Sequence, residues 1–230
     1  MLVTARIMKI RDELSAPLAI IFDLDGTLAD TLADLSDAMN RALHFYGFPE
    51  ADEDDYRQRI GLGIRNLVLR SLPEDASSST VDAVIRAFQA IYFTEPVRQT
   101  RLYVGIDDLV ADLARTNVPM FVHTNKPHAV SETIILQLFH GNPFRRVLGQ
   151  REDIARKPSA EGVELLLGES GTAPSACWYI GDSEVDVETA RASGCAAIAA
   201  TWGFRSADTL IAAGAEILFH TVDELRQSLL

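Results

Sequence analysis

The strongest constraint on this chain is the alternation of short apolar runs with helical patterns after residue 105. Residues 119–124, 146–148, 177–180, 196–200 and 217–219 are apolar runs of strand length. Before, between and after them, 106–115, 130–139, 159–167, 186–193, 210–213 and 222–229 carry helical spacing. Strands separated by single helices imply parallel βαβ units with right-handed crossovers. An earlier run, 18–22, ends abruptly at Asp23 and reads as the first strand. The alternation then breaks off for some 65 residues. Leu32, Leu35, Met39 and Leu43 share a helical face, and Gly47 and Pro49 end that helix. Helices at 52–60 and 62–71 flank Gly61-Leu62-Gly63, and Val81, Val84, Ile85, Phe88 and Ile91 mark another after the Ser77–Thr80 run. The expected class is α/β: a core from 1–30 and 99–230, with 31–98 inserted as a helical cap domain.

Composition narrows the partners. The 230 residues include 21 basic and 33 acidic ones, a net charge of −12, which argues against a general nucleic-acid binder. No apolar run reaches membrane-spanning length. The first 17 residues hold Arg6, Lys9, Arg11, Asp12 and Glu13 and lack the continuous apolar core of a signal peptide. Cys177 and Cys195 sit in apolar runs and read as buried thiols, so a cytoplasmic location is expected.

Polar groups gather where strands end. Asp23, Asp25 and Thr27 come after the first strand, and Thr124-Asn125-Lys126 after a later one. Lys157-Pro158 precedes a helix, and Gly181-Asp182-Ser183-Glu184-Val185-Asp186 comes after 177–180. A parallel sheet gathers its carboxyl ends along one edge, where open α/β sheets bind ligands. Asp23 and Asp25 repel each other unless a cation or a proton intervenes. Singly, these groups read as turns, caps and a solvated lysine; together and in this order they read as a site. A calcium loop is excluded because Gly26 stands fourth rather than sixth. Gly61-Leu-Gly63 follows no strand and is no dinucleotide fingerprint.

The four motifs, in this order, resemble those of the haloacid dehalogenase superfamily over essentially everything from residue 18 onward. The resemblance implies a Rossmann-like, three-layer αβα core with a helical cap. It implies that Asp23 attacks phosphorus to form an aspartyl-phosphate, and that Asp25 acts as acid and then base. Mg²⁺ is expected on the Asp23 carboxylate, the Asp25 carbonyl and Asp182, with Asp186 orienting the site from behind. Thr124 and Lys157 would meet the transferring phosphoryl group. Four carboxylates around one lysine would repel a phosphate dianion, so Mg²⁺ and a protonated Asp25 are expected to bring the site near balance. Thr27, Asn125 and Arg65 are expected to bind substrate, Arg65 from the cap.

Within the superfamily, Asp25 argues against a dehalogenase, and Thr27 favours hydrolysis over a β-phosphoglucomutase-type transfer. The arrangement is similar to phosphoglycolate phosphatases and their pyrophosphatase neighbours, as is the tail Trp202-Gly-Phe-Arg205. Val104 and Ser159-Ala160 depart from that group's usual residues. A receiver-like phospho-acceptor module uses the same groups in another order and has no room for 31–98. The expectation is a Mg²⁺-dependent phosphoric monoester hydrolase acting on a small phosphorylated metabolite, without nucleic-acid or membrane partners. Monomer and homodimer stay open.

Overall fold

The computed structural model describes residues 15–230, so the expectation resting on Arg6 to Glu13 lies outside the described residues. The first strand, β1 (Ala19–Phe22), is buried at all four positions. It pairs in parallel with β4 (Met120–Pro127) on one side and β6 (Cys177–Gly181) on the other. A central parallel strand is covered on both faces, which is why 18–22 shows no polar alternation. Burying Ile20, Ile21 and Phe22 contributes about 1.5–3 kcal/mol each.

The six-stranded sheet runs β5–β4–β1–β6–β7–β8, with β5 (Arg146–Gln150), β7 (Ala196–Ala200) and β8 (Ile217–Phe219) completing it. Every pairing is parallel. From β1 the chain winds outward through β4 and β5, then returns to β6 on β1's other side. The carboxyl ends of β1, β4 and β6 therefore border the crevice at a topological switch point.

Side chains alternate across the sheet. Ile20, Phe22, Trp178 and Ile180 share one apolar cluster with Leu109, Ile134 and Leu225. These last three come from α5 (Ile106–Leu113), α6 (His128–Leu138) and α10 (Val222–Leu229). Ile21, Phe121 and Tyr179 face Val163 and Ala190, from α7 (Glu161–Ser170) and α8 (Glu184–Ser193). Leu210 of α9 (Ala207–Ala212) packs with Val187 on that second side. The core is a three-layer αβα sandwich.

Residues between β1 and β4 form α1 (Leu32–Phe45), α2 (Glu53–Arg59), α3 (Ile64–Leu69) and α4 (Ser78–Tyr92). Asp52 accepts from the Asp55 amide at 2.9 Å and Ser77 from the Thr80 amide at 3.1 Å, so polar caps start α2 and α4. A two-stranded antiparallel ribbon joins this block to the sheet: β2 (Ala29–Asp30) pairs Ala29 with Leu102 of β3 (Arg101–Leu102). Strands of two residues carry no readable period, and neither was expected. Asp34, in the first turn of α1, is 3% exposed. It accepts hydrogen bonds from the amides of Arg98, Gln99 and Thr100 and from the Thr100 hydroxyl, at 2.8–3.0 Å. One carboxylate thus clamps the outgoing and returning segments together. Among the described residues no helix is long and apolar enough to cross a membrane.

Candidate active site

The Asp23 amide donates to the Ile180 carbonyl at 2.9 Å, which carries the β1–β6 pairing past the end of β1. Gly26, at φ +84°, then turns the chain so closely beneath Asp182 that a Cβ there would overlap its carboxylate. The turn sets Thr27 under the same group, and its hydroxyl donates to Asp182 Oδ1 at 3.1 Å. Phe204 N donates to Asp182 Oδ2 at 2.7 Å from the loop after β7.

One carboxylate oxygen from each of Asp23, Asp182 and Asp186 fits within a 4.8 Å cluster, and all three residues are buried. Lys157, 4% exposed, brings Nζ to 2.9 Å from Asp23 Oδ1 and 2.7 Å from Asp186 Oδ1. Burial draws its proton affinity down, but Asp186 and Asp23 outweigh that and hold the ammonium well above its usual range. Burial, then the neighbouring Asp186 charge, raises the Asp23 carboxyl to about 7. Asp182 is raised as well, by burial and by Asp186 and Asp23. The Asp23 Oδ1 atom accepts no aligned hydrogen bond despite its short approach to Lys157. Three crowded carboxylates, one with a buried oxygen unbonded, match the hard oxygen donors that a Mg²⁺-sized cation takes.

Asp186 differs from its neighbours. Its oxygens take Lys157 Nζ, the Ser183 amide at 3.0 Å and the Ser183 hydroxyl at 2.6 Å. The bond from the Ser183 amide is one half of the capping box that starts α8. With Oδ1 on the Lys157 ammonium and Oδ2 on Ser183, Asp186 fits a role in orienting Lys157.

A second ammonium enters from β4. Lys126, 5% exposed, contacts both oxygens of Asp25 at 2.8 and 3.0 Å, and its Nζ lies 4.9 Å from the Tyr92 ring centroid. Burial opposes its charge, but Asp25 and Tyr92 raise its proton affinity overall. Thr31 donates to Asp25 Oδ1 at 2.7 Å. The expectation of four carboxylates around one lysine is therefore corrected: two ammonium groups are present, leaving formal charge −4 + 2 = −2. Lys126 stands within a motif already singled out. Its partner lies 101 residues away, which local pattern cannot show.

A cavity of about 50 Å³ opens over these groups. Asp23, Asp25, Thr124, Lys126 and Asp182 line its polar side, and Ile60, Ile64, Leu67 and Tyr92 come from the helical block.

The chain matches the family model of haloacid dehalogenase-like hydrolases over residues 20–200. The chain belongs to the haloacid dehalogenase-like hydrolase family. A phosphoglycolate phosphatase from Chromobacterium violaceum is 32% identical over 211 residues, covering 90% of this chain and 94% of the relative. Another, from Rhodospirillum rubrum, is 30% identical over 210 residues, with 88% and 87% covered. A solved structure assigned as a phosphoglycolate phosphatase, from Lactobacillus delbrueckii subsp. bulgaricus, superposes with TM-score 0.88 at 31% identity, covering 94% of this chain and 99% of that one.

The acidic motifs of this hydrolase meet at the sheet's carboxyl edge. Asp23, Asp25, Thr124, Lys157, Asp182 and Asp186 come together there. The three residues expected on the substrate have other partners here. Arg65 is exposed, pairs with Asp82 of α4 at 2.9 Å and does not line the cavity. Thr27 is fully buried and spends its hydroxyl on Asp182. Asn125 reaches the cavity wall, but its amide is spent on main chain. It donates to Gly61 O at 3.1 Å and Lys157 O at 3.2 Å and accepts from Lys157 N at 3.0 Å. His123 lies behind the site. Burial, then Lys157, lowers it to about 3, so it is neutral, with Tyr179 Oη 3.2 Å from Nδ1.

Proposed function

We propose that this hydrolase is a Mg²⁺-dependent phosphatase of small phosphate monoesters of the phosphoglycolate class, working through an aspartyl-phosphate on Asp23. The observation that carries this reading is the buried Asp23–Asp182–Asp186 cluster, with Lys157 Nζ 2.9 Å from Asp23 Oδ1. Relatives named phosphoglycolate phosphatase over most of both chains support the substrate class.

Asp23 attacks the phosphorus, and the ester oxygen leaves with the bonding pair. Lys157 faces the equatorial oxygens and Thr124 donates to them. Asp25, held by Lys126 and Thr31, takes up a proton as the ester binds, gives it to the leaving oxygen, and then takes one from the water that attacks the phosphoryl-aspartate. Asp23, Asp182 and the main chain at Asp25 would hold Mg²⁺, whose charge offsets the site's negative excess and polarises the phosphoryl oxygens. Asp186 keeps Lys157 in place. Residues 31–98 act as a lid over 1–30 and 99–230. A small soluble metabolite is the expected partner of a cytoplasmic enzyme.

The test is phosphate release from a panel of small phosphorylated acids and alcohols with Mg²⁺, with Asp23→Asn as control. Turnover of 2-phosphoglycolate abolished in the variant is expected; an active variant would overturn the mechanism. Conversion of β-glucose 1-phosphate to the 6-phosphate without phosphate release would favour the phosphotransferase reading instead.

A further inference from the structure

The helical block and the sheet meet through one buried guanidinium that the proposed chemistry does not use. Arg205 follows β7 in the loop 201–206, and the residue is 8% exposed. Nη1 donates to the Arg57 carbonyl, and Nη2 donates to Ile60 O at 2.8 Å and Gln58 O at 3.5 Å. Nε is held by Glu184 Oε2 at 3.0 Å. The carbonyls at the end of α2 lack helical partners by geometry. Here a side chain some 145 residues away takes them.

The same loop touches the acidic cluster. Phe204 N donates to Asp182 Oδ2 at 2.7 Å, and Trp202 Nε1 donates to Thr27 O at 3.0 Å. Gly203 lies so close to Gly26 O and Asp182 that a Cβ would overlap both. Asn125 holds the adjoining Gly61 carbonyl from β4. The lid segment 57–61 is thus gripped from two strand ends, and one grip is a single residue away from the amide that orients Asp182.

We infer that Arg205 is a positioning residue that holds the helical lid shut on the sheet edge, from the same loop whose Phe204 amide orients Asp182. The role of closure in turnover rests on the proposed phosphatase reading; the grip itself does not. Arg205 touches no reacting atom. Loss of the guanidinium frees the end of α2, so the lid closes less often and bound ester escapes sooner. Inorganic phosphate needs only the sheet edge and is insensitive to the lid.

The test compares Arg205→Met and Arg205→Lys with wild type in three measurements. Hydrogen exchange of the segment 53–64 in metal-free protein should accelerate about tenfold or more in Arg205→Met, with the sheet strands unchanged. KM for the ester should rise about tenfold, while the inhibition constant of inorganic phosphate stays within about twofold. Arg205→Lys, which keeps one charged donor, should recover part of both effects. Unchanged exchange in 53–64 would overturn the inference. So would phosphate inhibition weakening in step with KM, because Arg205 would then act at the phosphoryl site itself. If Arg205→Met loosens the whole fold, Glu184→Ala is decisive: it removes only the acceptor on Nε, and a smaller rise confined to 53–64 is required. If wild type released no phosphate from any ester, the phosphatase reading would fail, and the exchange measurement alone would decide the grip.

Discussion

Removing the Asp23 charge should change how the metal-free protein responds to pH. In the folded state this carboxyl is raised to about 7, against 3.8 as its ordinary value. Between those values the unfolded chain carries the charged form and the folded chain keeps the proton. The folded state then binds more protons, so stability falls as pH rises from about 4 to 7 and levels off above. The difference, 7 − 3.8 = 3.2, corresponds to roughly 4 kcal/mol at about 1.36 kcal/mol per unit. For a chain of this length that is a melting shift of roughly 10 °C. Other carboxylates titrate across the same range, so the informative quantity is wild type minus Asp23→Asn, each unfolded thermally in EDTA from pH 4 to 8. The variant lacks this titration and also relieves Asp182, which Asp23 helps to raise, so both contributions share one sign. Wild type should lose stability relative to the variant from pH 4 to 7. A flat or rising difference would refute the claim that crowded, buried carboxylates set the site's charge.

The same geometry sets four further outcomes. Mg²⁺ should raise the melting temperature of wild type more at pH 8 than at pH 5, where the Asp23 carboxyl holds its proton, and calorimetric titration should show proton release on binding near pH 6. Lys126→Met leaves Asp25 without its ammonium partner and should cost about 3–5 kcal/mol in urea unfolding. Asp34→Ala strips the Arg98–Thr100 segment of its acceptor and should cost about 2–4 kcal/mol by the same assay. Arg65→Ala should leave kcat/KM within about twofold, because an exposed ion pair with Asp82 is all it breaks.

The fold was legible where burial leaves a local trace. β1 and β6 are covered on both faces and read as continuous apolar runs. Ser77 announced the start of α4 through its cap. β4 runs to Pro127 rather than stopping at Thr124, because its irregular end turns polar residues inward onto the site. The catalytic candidates were legible because strand ends gather at one edge, whatever the helices between them do. Lys126, Asp34 and Arg205 were not, since each is defined by partners 64 to 148 residues distant. A buried lysine and a surface one have the same local surroundings in sequence. Arg65 shows the converse: a cation in the first turn of α3 invites a substrate role, yet Asp82 on the neighbouring helix faces it instead.

The central claim is that Asp23 becomes covalently phosphorylated during turnover. It is tested most directly by acid-quenching wild type and Asp23→Asn within the first turnover of 2-phosphoglycolate with Mg²⁺, then mapping phosphate by mass spectrometry of the peptides. The account predicts one phosphoryl group on the wild-type peptide that contains Asp23, formed and lost at rates consistent with kcat, and none in the variant. Turnover without that adduct, or an adduct on another residue, would contradict it.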